Sequence, residues 1–431
     1  MKNAALTLIA GLSFMSCASL PAGQSNLQEL PSVKDKARAY VNILAGPEMH
    51  GRGYVMGGDR IAADWIEQQF DRLGLEKLHE HRFQPFSFPV NTFPDSVRLS
   101  VDGRSLVPGV DFITDPASGS SEGEFHVVPL VLEDLLSPER KAMTMGVLVG
   151  NLAYLDFPLT ANRDTLALYA ELEAEVVRYA PVLRKAQGKL TWSVAGEQKR
   201  NAVIEVNPGS IPDSAQTVMI RVRNTFIPRH SARNVFGVVE AKGTSKEWII
   251  VSAHYDHLGH MGPDVLFPGA NDNASGMSML LCLAEEIKKH PLRKNVLFIA
   301  FAGEEAGLQG STWCVTDRPI DLSSIRMMIN LDLNGTGEEG ITVVNSTEQQ
   351  KLFDELVAIN TKEKLLPVVK PRGPACNSDH CPFVQKGVPA VFIYTMGGIS
   401  AYHDVFDRPE TLPLTEFDDL YRLLVAALKT I

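Results

Sequence analysis

A chain of 431 residues is long enough to bury a large core and to divide into more than one compact unit. Apolar residues at 45% and charged residues at 21% are ordinary for a globular protein, and there is no low-complexity tract or internal repeat. A formal net charge of -10 without a basic cluster argues against nucleic acid as a partner.

In chain order, Lys2 precedes an apolar run over residues 4–15, followed by Ser16 and Cys17. The run is too short to span a bilayer and suits the core of a signal peptide. A small residue directly before Cys17 resembles a bacterial lipoprotein signal. The expectation is a lipoprotein-type signal peptide over 1–17, a lipid anchor on Cys17, a polar linker over 18–31, and export to the periplasm or cell envelope. Secretion with an incidental cysteine is the alternative. No other segment is long and apolar enough to span a membrane.

The pattern over residues 33–44 is helical, and the glycine-rich stretch GPEMHGRGYVMGGDR (46–60) is a loop. IAADWIEQQFDRLGL (61–75) puts Ala62, Ile66, Phe70 and Leu73 on one helical face, with Gly74 as a stop. HRFQPFSFPV (81–90) combines prolines with alternating aromatics and suits an edge strand. From about residue 95 to 228 the character changes. Short β-like runs (VRLSV, FHVVPLVL, GVLVGN, LTWSV, AVIEV, TVMIRV) alternate with turns, interrupted by one helical stretch near 165–187. Residues 95–228 therefore form an inserted β-rich domain, and 32–94 with 229–431 form the domain it interrupts.

From residue 233 strands and helices alternate. NVFGVVEA, EWIIVSAH, NVLFIAFA, IRMMINLDL and PAVFIYT are strands; 275–289, 348–360 and 415–429 are helices. This order implies a layered α/β domain. Of the cysteines, Cys282 falls in a helical apolar pattern and is a small core residue. Cys376 and Cys381 either close a short loop as a disulfide or stay as two thiols. Such a pair alone does not make a zinc site, which needs four ligands.

The residues with chemical potential sit at the ends of these runs. His254 and Asp256 share one face at a strand end, where the imidazole can bind zinc and the carboxylate can orient the ring. Asp272 lies in a glycine- and asparagine-rich loop just before a helix. Its two oxygens could bridge two ions, and Ser275 is the better-placed helix cap. Glu304 and Glu305 end an apolar strand, where desolvating adjacent carboxylates is expensive without cations. Asp332 ends another apolar run, and His403 supplies a further imidazole. His254, Asp272 and Asp332 give one ion three protein ligands; Asp272, Glu305 and His403 give a second ion three. Glu304 is left as general base.

In this order, AHYDHLG, GANDNASG, GEEAG, NLDLNG and YHD resemble the co-catalytic zinc aminopeptidase family. That family includes secreted bacterial leucine aminopeptidases, glutamate carboxypeptidases and glutaminyl cyclases. The resemblance implies a three-layer α/β/α sandwich with a mixed, mostly parallel central sheet, and two zinc ions per chain. It implies His254 and Asp332 on one ion, Glu305 and His403 on the other, Asp272 as bridge, Glu304 as base and Asp256 supporting His254. SDHCPFVQKGVPA (378–390) resembles a segment that lines the site. The insertion resembles a protease-associated domain. His257 and His260 lie nearby but are not needed to fill either ligand set. The function implied is aminopeptidase hydrolysis of a peptide substrate. The alternatives are a one-zinc glutaminyl cyclase, or a carboxypeptidase in which a basic residue such as Arg372 or Arg408 holds the substrate's terminal carboxylate.

Overall fold

In a computed structural model of the chain, which describes residues 32–212 and 214–431, the α/β alternation becomes a mixed eight-stranded sheet. The signal segment, Cys17 and the linker 18–31 lie outside the described residues. Strands follow one another across the sheet as Phe83–Thr92, Thr225–Val239, Asn295–Phe301, Trp248–His254, Ile325–Leu331, Ala390–Thr395, Ile341–Val344 and Val369–Arg372. The four from Asn295–Phe301 to Ala390–Thr395 run parallel to one another, and each outer member of the four pairs antiparallel on its other side. The proline-bearing strand Phe83–Thr92 is an antiparallel edge, where a missing N–H costs no ladder bond.

Alternation along these strands feeds two cores. Ile249, Val251, Phe298, Ile329 and Val391 pack with the helices Val33–Leu44, Gly58–Arg72, Gly276–Lys289 and Phe417–Leu428. Ile250, Leu297, Ile299, Met328 and Ala390 point the other way, onto Cys314, Val315 and Phe383 of helices Gln309–Asp317 and His380–Gln385. Both faces are covered, which is why these strands are apolar at most positions on both faces. The result is the three-layer arrangement with a mixed central sheet. Cys282 is buried in the first core.

A second eight-stranded sheet is built within residues 98–222. Three details differ from the sequence reading. GVLVGN does not start a strand: residues 146–148 finish the helix Pro138–Leu148, which Ser137 caps by accepting the Arg140 N–H and Pro138 opens. The later helix is Arg163–Val176, and Val182–Lys185 is already a strand, because Pro181 cannot continue a helical ladder. LTWSV forms no strand; the Trp192 N–H donates to the His403 carbonyl at 2.8 Å. Near Asp272 the capping reading also fails. Asn273 Oδ1 accepts the Gly276 N–H at 2.9 Å, while the Ser275 hydroxyl donates back to the Asn271 carbonyl at 2.7 Å.

Phe298 is fully buried in the middle strand, whereas Met143 on a helix of the second part is 75% exposed. Phe298→Ala should cost about 3–5 kcal/mol of unfolding free energy. Met143→Ala should stay within about 0.5 kcal/mol. Urea denaturation of both variants checks this; equal effects would contradict the layering described.

Candidate metal centre

The parallel strands deliver their carboxyl ends to one side of the sheet, where α/β folds place chemistry. His254 is the last residue of Trp248–His254, and Asp332 directly follows Ile325–Leu331. Glu304 and Glu305 follow Asn295–Phe301, and His403 lies in the loop beyond Ala390–Thr395. Asp272 comes from the turn Ala270–Ser275 that leads into the helix Gly276–Lys289.

All five proposed ligands converge. His254 Nε2 is 3.4 Å from Asp272 Oδ1 and 3.4 Å from Asp332 Oδ1. His403 Nε2 is 3.1 Å from Asp272 Oδ2 and 3.3 Å from Glu305 Oε2. The two oxygens of Asp272 thus face different imidazoles. Asp332 Oδ1 is buried without a hydrogen-bond partner among the described residues, and its Oδ2 accepts from the Ser378 hydroxyl at 3.1 Å. Ser378 belongs to the 378–390 segment and follows Cys376, which is disulfide-bonded to Cys381.

Asp256 is in the site but in a different role from the one its spacing implied. Its carboxylate is 3.9 Å from His254 Nδ1, which lies closer, at 3.2 Å, to the Asp256 carbonyl. The carboxylate instead accepts the Glu304 and Glu305 N–H groups at 3.2 and 3.3 Å and the Tyr54 hydroxyl at 2.7 Å. Asp256 therefore holds the turn that presents both glutamates. His257, set aside by the ligand count, is buried with Nδ1 2.8 Å from Glu305 Oε1 and 4.0 Å from Asp272 Oδ1. His257, Asp272 and Glu305 form a second donor set within 4.8 Å, beside His254, Asp272 and Asp332. His403 faces the cavity and His257 stands behind Glu305. His260 packs 5.7 Å from the His50 ring.

The glycine-rich stretch 46–60 holds two supports that carried no periodic signal, Tyr54 on the Asp256 carboxylate and Arg52. Arg52 is fully buried, and its donors reach five carbonyls: those of Tyr255, Leu44, Pro268, Gly269 and Asp272. All five guanidinium N–H groups are thus matched by acceptors, three of them on the loop that carries Asp272. Burial lowers Arg52 to about 10, against the pull of Asp272 and Asp407. A side chain on Gly269 would collide with the Asp272 carbonyl and His257, and its φ of +61° also favours glycine. Asp407 accepts the Asn271 and Asp272 N–H groups at 2.8 and 3.0 Å.

The electrostatics describe a centre short of positive charge. Burial pushes Glu304 well above the usual carboxylate range, opposed by His254 and assisted by Asp379 and Glu305. Burial likewise lifts Asp256 to about 6 and Asp379 to about 7, in each case against the pull of His254. Burial would raise Asp272, but hydrogen bonds from His254 and His403 hold it well below that range. His254 and His403 move up despite burial, His254 chiefly through Asp332 and His403, chiefly through Glu305, to about 9. Protons on two imidazoles and a glutamate stand where cations would relieve the same repulsion. Two oxygen-rich sets, each with a buried imidazole and sharing one carboxylate, fit a pair of divalent ions of the zinc type.

A cavity of about 320 Å³ opens onto this centre. Leu333, Phe392, Tyr394 and Tyr402 form its apolar and aromatic walls, with Arg372 and Asn377 also lining it. Arg372 donates to the Tyr394 hydroxyl at 3.1 Å. Arg408 lines a different cavity, with Arg38 and Asn42.

The sequence profile of Peptidase family M28 matches residues 234–428. A probable leucine aminopeptidase of Arthroderma otae is 33% identical over 255 residues, covering 55% of this chain and 67% of that protein. Aminopeptidase YwaD of Bacillus subtilis is 32% identical over 164 residues, covering 37% of this chain and 34% of YwaD. The chain spans between a third and about half of the length of YwaD and several other such relatives. In architecture it resembles the structure of BSAP, a zinc aminopeptidase from Bacillus subtilis, with a TM-score of 0.69 at 20% identity over 93% of this chain and 96% of that one. With its motifs lying inside the matched segment and two thirds of a relative covered at this identity, the chain belongs to Peptidase family M28.

Proposed function

We propose that this protein is a zinc aminopeptidase that binds two ions and hydrolyses the first peptide bond of a peptide. The observation that carries this reading is Asp272, whose two oxygens lie toward His254 Nε2 on one side and His403 Nε2 on the other. One ion would be held by His254, Asp272 and Asp332, the other by Asp272, Glu305 and His403. When bound, such a pair supplies Lewis-acid polarisation of a carbonyl and an acidified water. The names of the relatives, aminopeptidases and a zinc aminopeptidase, support the same reaction.

The chain's own groups then divide the work. Glu304 faces the cavity with a carboxyl raised by burial, which suits a group that takes a proton from water and returns it to the leaving amine. Asp256 fixes the backbone of Glu304 and Glu305, so that adjacent side chains take separate tasks. His257 orients Glu305 through its Oε1, leaving Oε2 toward His403. Leu333, Phe392 and Tyr402 offer an apolar wall to the substrate's first side chain. Both donor sets are complete, which favours hydrolysis over the one-zinc cyclase reaction. We further propose that residues 1–17 direct export and that Cys17 carries a lipid; the segment lies outside the described residues.

A second reading is favoured by Arg372. It lines the cavity, is exposed, and is braced by the Tyr394 hydroxyl. A guanidinium there would hold a carboxylate on the substrate, as a carboxypeptidase requires.

Three measurements test these statements. Metal analysis of the purified chain should give two zinc per chain, and chelation should abolish activity and lower the unfolding temperature. One tightly bound zinc with cyclisation of glutamine peptides would sink the leading reading. Glu304→Gln should keep both ions and lose about 10²–10⁴-fold in turnover; near-parental rates would remove Glu304 as the base. Arg372→Met should leave an amino acid p-nitroanilide unaffected under the aminopeptidase reading. A loss confined to substrates with a free C-terminal carboxylate would move the assignment to carboxypeptidase.

A further inference from the structure

The segment containing Trp192, which belongs to the core of the second sheet, reaches across to the metal centre. The Trp192 N–H donates to the His403 carbonyl at 2.8 Å, and His403 Nδ1 lies 3.0 Å from the Trp192 carbonyl. Lys189 Nζ donates to the carbonyls of Ser400 and Tyr402 at 2.7 and 3.2 Å and pairs with the buried carboxylate of Asp404. Three carbonyls of the His403 loop thus take hydrogen bonds from residues 189 and 192. Val405, two residues on, packs into the same apolar cluster as Trp192, whose ring stacks on Phe267 with centroids 4.7 Å apart.

His403 needs such support. Its φ is +52°, a left-handed conformation that is uncommon for a residue with a side chain and persists where the surroundings impose it. Its ring must also present one nitrogen and not the other. With Nδ1–H donated to the Trp192 carbonyl, Nε2 keeps its lone pair and faces Asp272 and Glu305. The other imidazole of the centre, His254, is set within its own domain by the strand that carries it.

We propose that residues 189–192 are a positioning clamp, through which the second sheet's part of the chain sets the backbone and tautomer of His403 and so completes one of the two ion sites. The part between residues 95 and 228 is then a structural component of the centre. The clamp rests on the assignment of His403 as an ion ligand.

Lys189 is the accessible member, with 43% of its side chain exposed, so its replacement spares the core. The test uses the full chain as Lys189→Met and as Lys189→Arg, with zinc content followed against a competing chelator alongside kcat and KM. The parent should hold two ions. Lys189→Met should release one of them at about 10- to 100-fold lower chelator concentration, the range for loss of a ligand's support. It should keep the other ion and lose kcat with KM little changed; Lys189→Arg should restore the second ion. A Lys189→Met chain that holds both ions at parental affinity overturns the clamp alone. A parent that holds fewer than two overturns the paired-ion reading, and the clamp with it.

Discussion

Moving an ionised carboxylate from water into a protein interior costs several kcal/mol even after relaxation. This fold commits Asp256, Asp272, Asp332 and Glu305 to one buried region at the ends of parallel strands. Two of them find compensation inside the protein. Asp256 is matched by a tyrosine hydroxyl and two backbone N–H groups, and Glu305 by His257. Asp272 and Asp332 face imidazoles that carry charge only when protonated, with the Arg52 cation near Asp272 and the Ser378 hydroxyl on Asp332 as partial relief. The repulsion left over is the constraint to which the surrounding architecture answers. It is also why the arrangement makes physical sense as a cation site and poor sense as a stability device.

The remedy is rigid geometry at every level. Strand ends fix His254 and Asp332 relative to one another because their strands are hydrogen-bonded neighbours in register. Asp272 has no strand to hold it, and the chain compensates with backbone contacts. Arg52 donates to the carbonyls of Gly269 and Asp272 from below, and Asp407 accepts the N–H groups of Asn271 and Asp272. A buried arginine that spends all its donors on carbonyls contributes charge as well as shape. Its cation lies beneath the bridging carboxylate without occupying either oxygen, which leaves both oxygens directed toward the two imidazoles.

The amino-acid sequence revealed one class of feature well and another poorly. Apolar runs such as NVLFIAF and IRMMINL suit strands covered on both faces, so the residues just past them, Glu304, Glu305 and Asp332, were marked as chemical by their position. The roles of Asp256 and His257 were not legible in the same way. Alternation indicates which face a side chain takes but not whether the chain stays extended, and Trp248–His254 ends before Asp256. Asp256 is thereby free to turn toward the Glu304 backbone. Arg52 and Tyr54 sat in a glycine-rich stretch whose short period carries no burial signal, and their partners lie some 200 residues away. The helix Pro138–Leu148 was hidden for a different reason: its apolar end resembles a strand, and only the Ser137 cap and Pro138 reveal where it starts.

Long-range assembly has a consequence for how the centre can behave. Its ligands and supports come from residues 52 to 407, with Trp192 contributed from the second sheet's part of the chain, so no single segment carries a preformed site. Any ion that binds the assembled centre and not its pieces draws the folded state toward itself by mass action, and affinity for metal becomes inseparable from the docking of the two parts. The two donor sets should feel this unequally. His254 and Asp332 sit on strands whose pairing survives any motion of residues 95–228. His403 sits on a loop that borrows three of its backbone hydrogen bonds from residues 189 and 192. Motion between the two parts would therefore loosen one half of the centre before the other. In this architecture the inserted sheet and the second ion are coupled by geometry, through a single imidazole held at both its ring and its backbone.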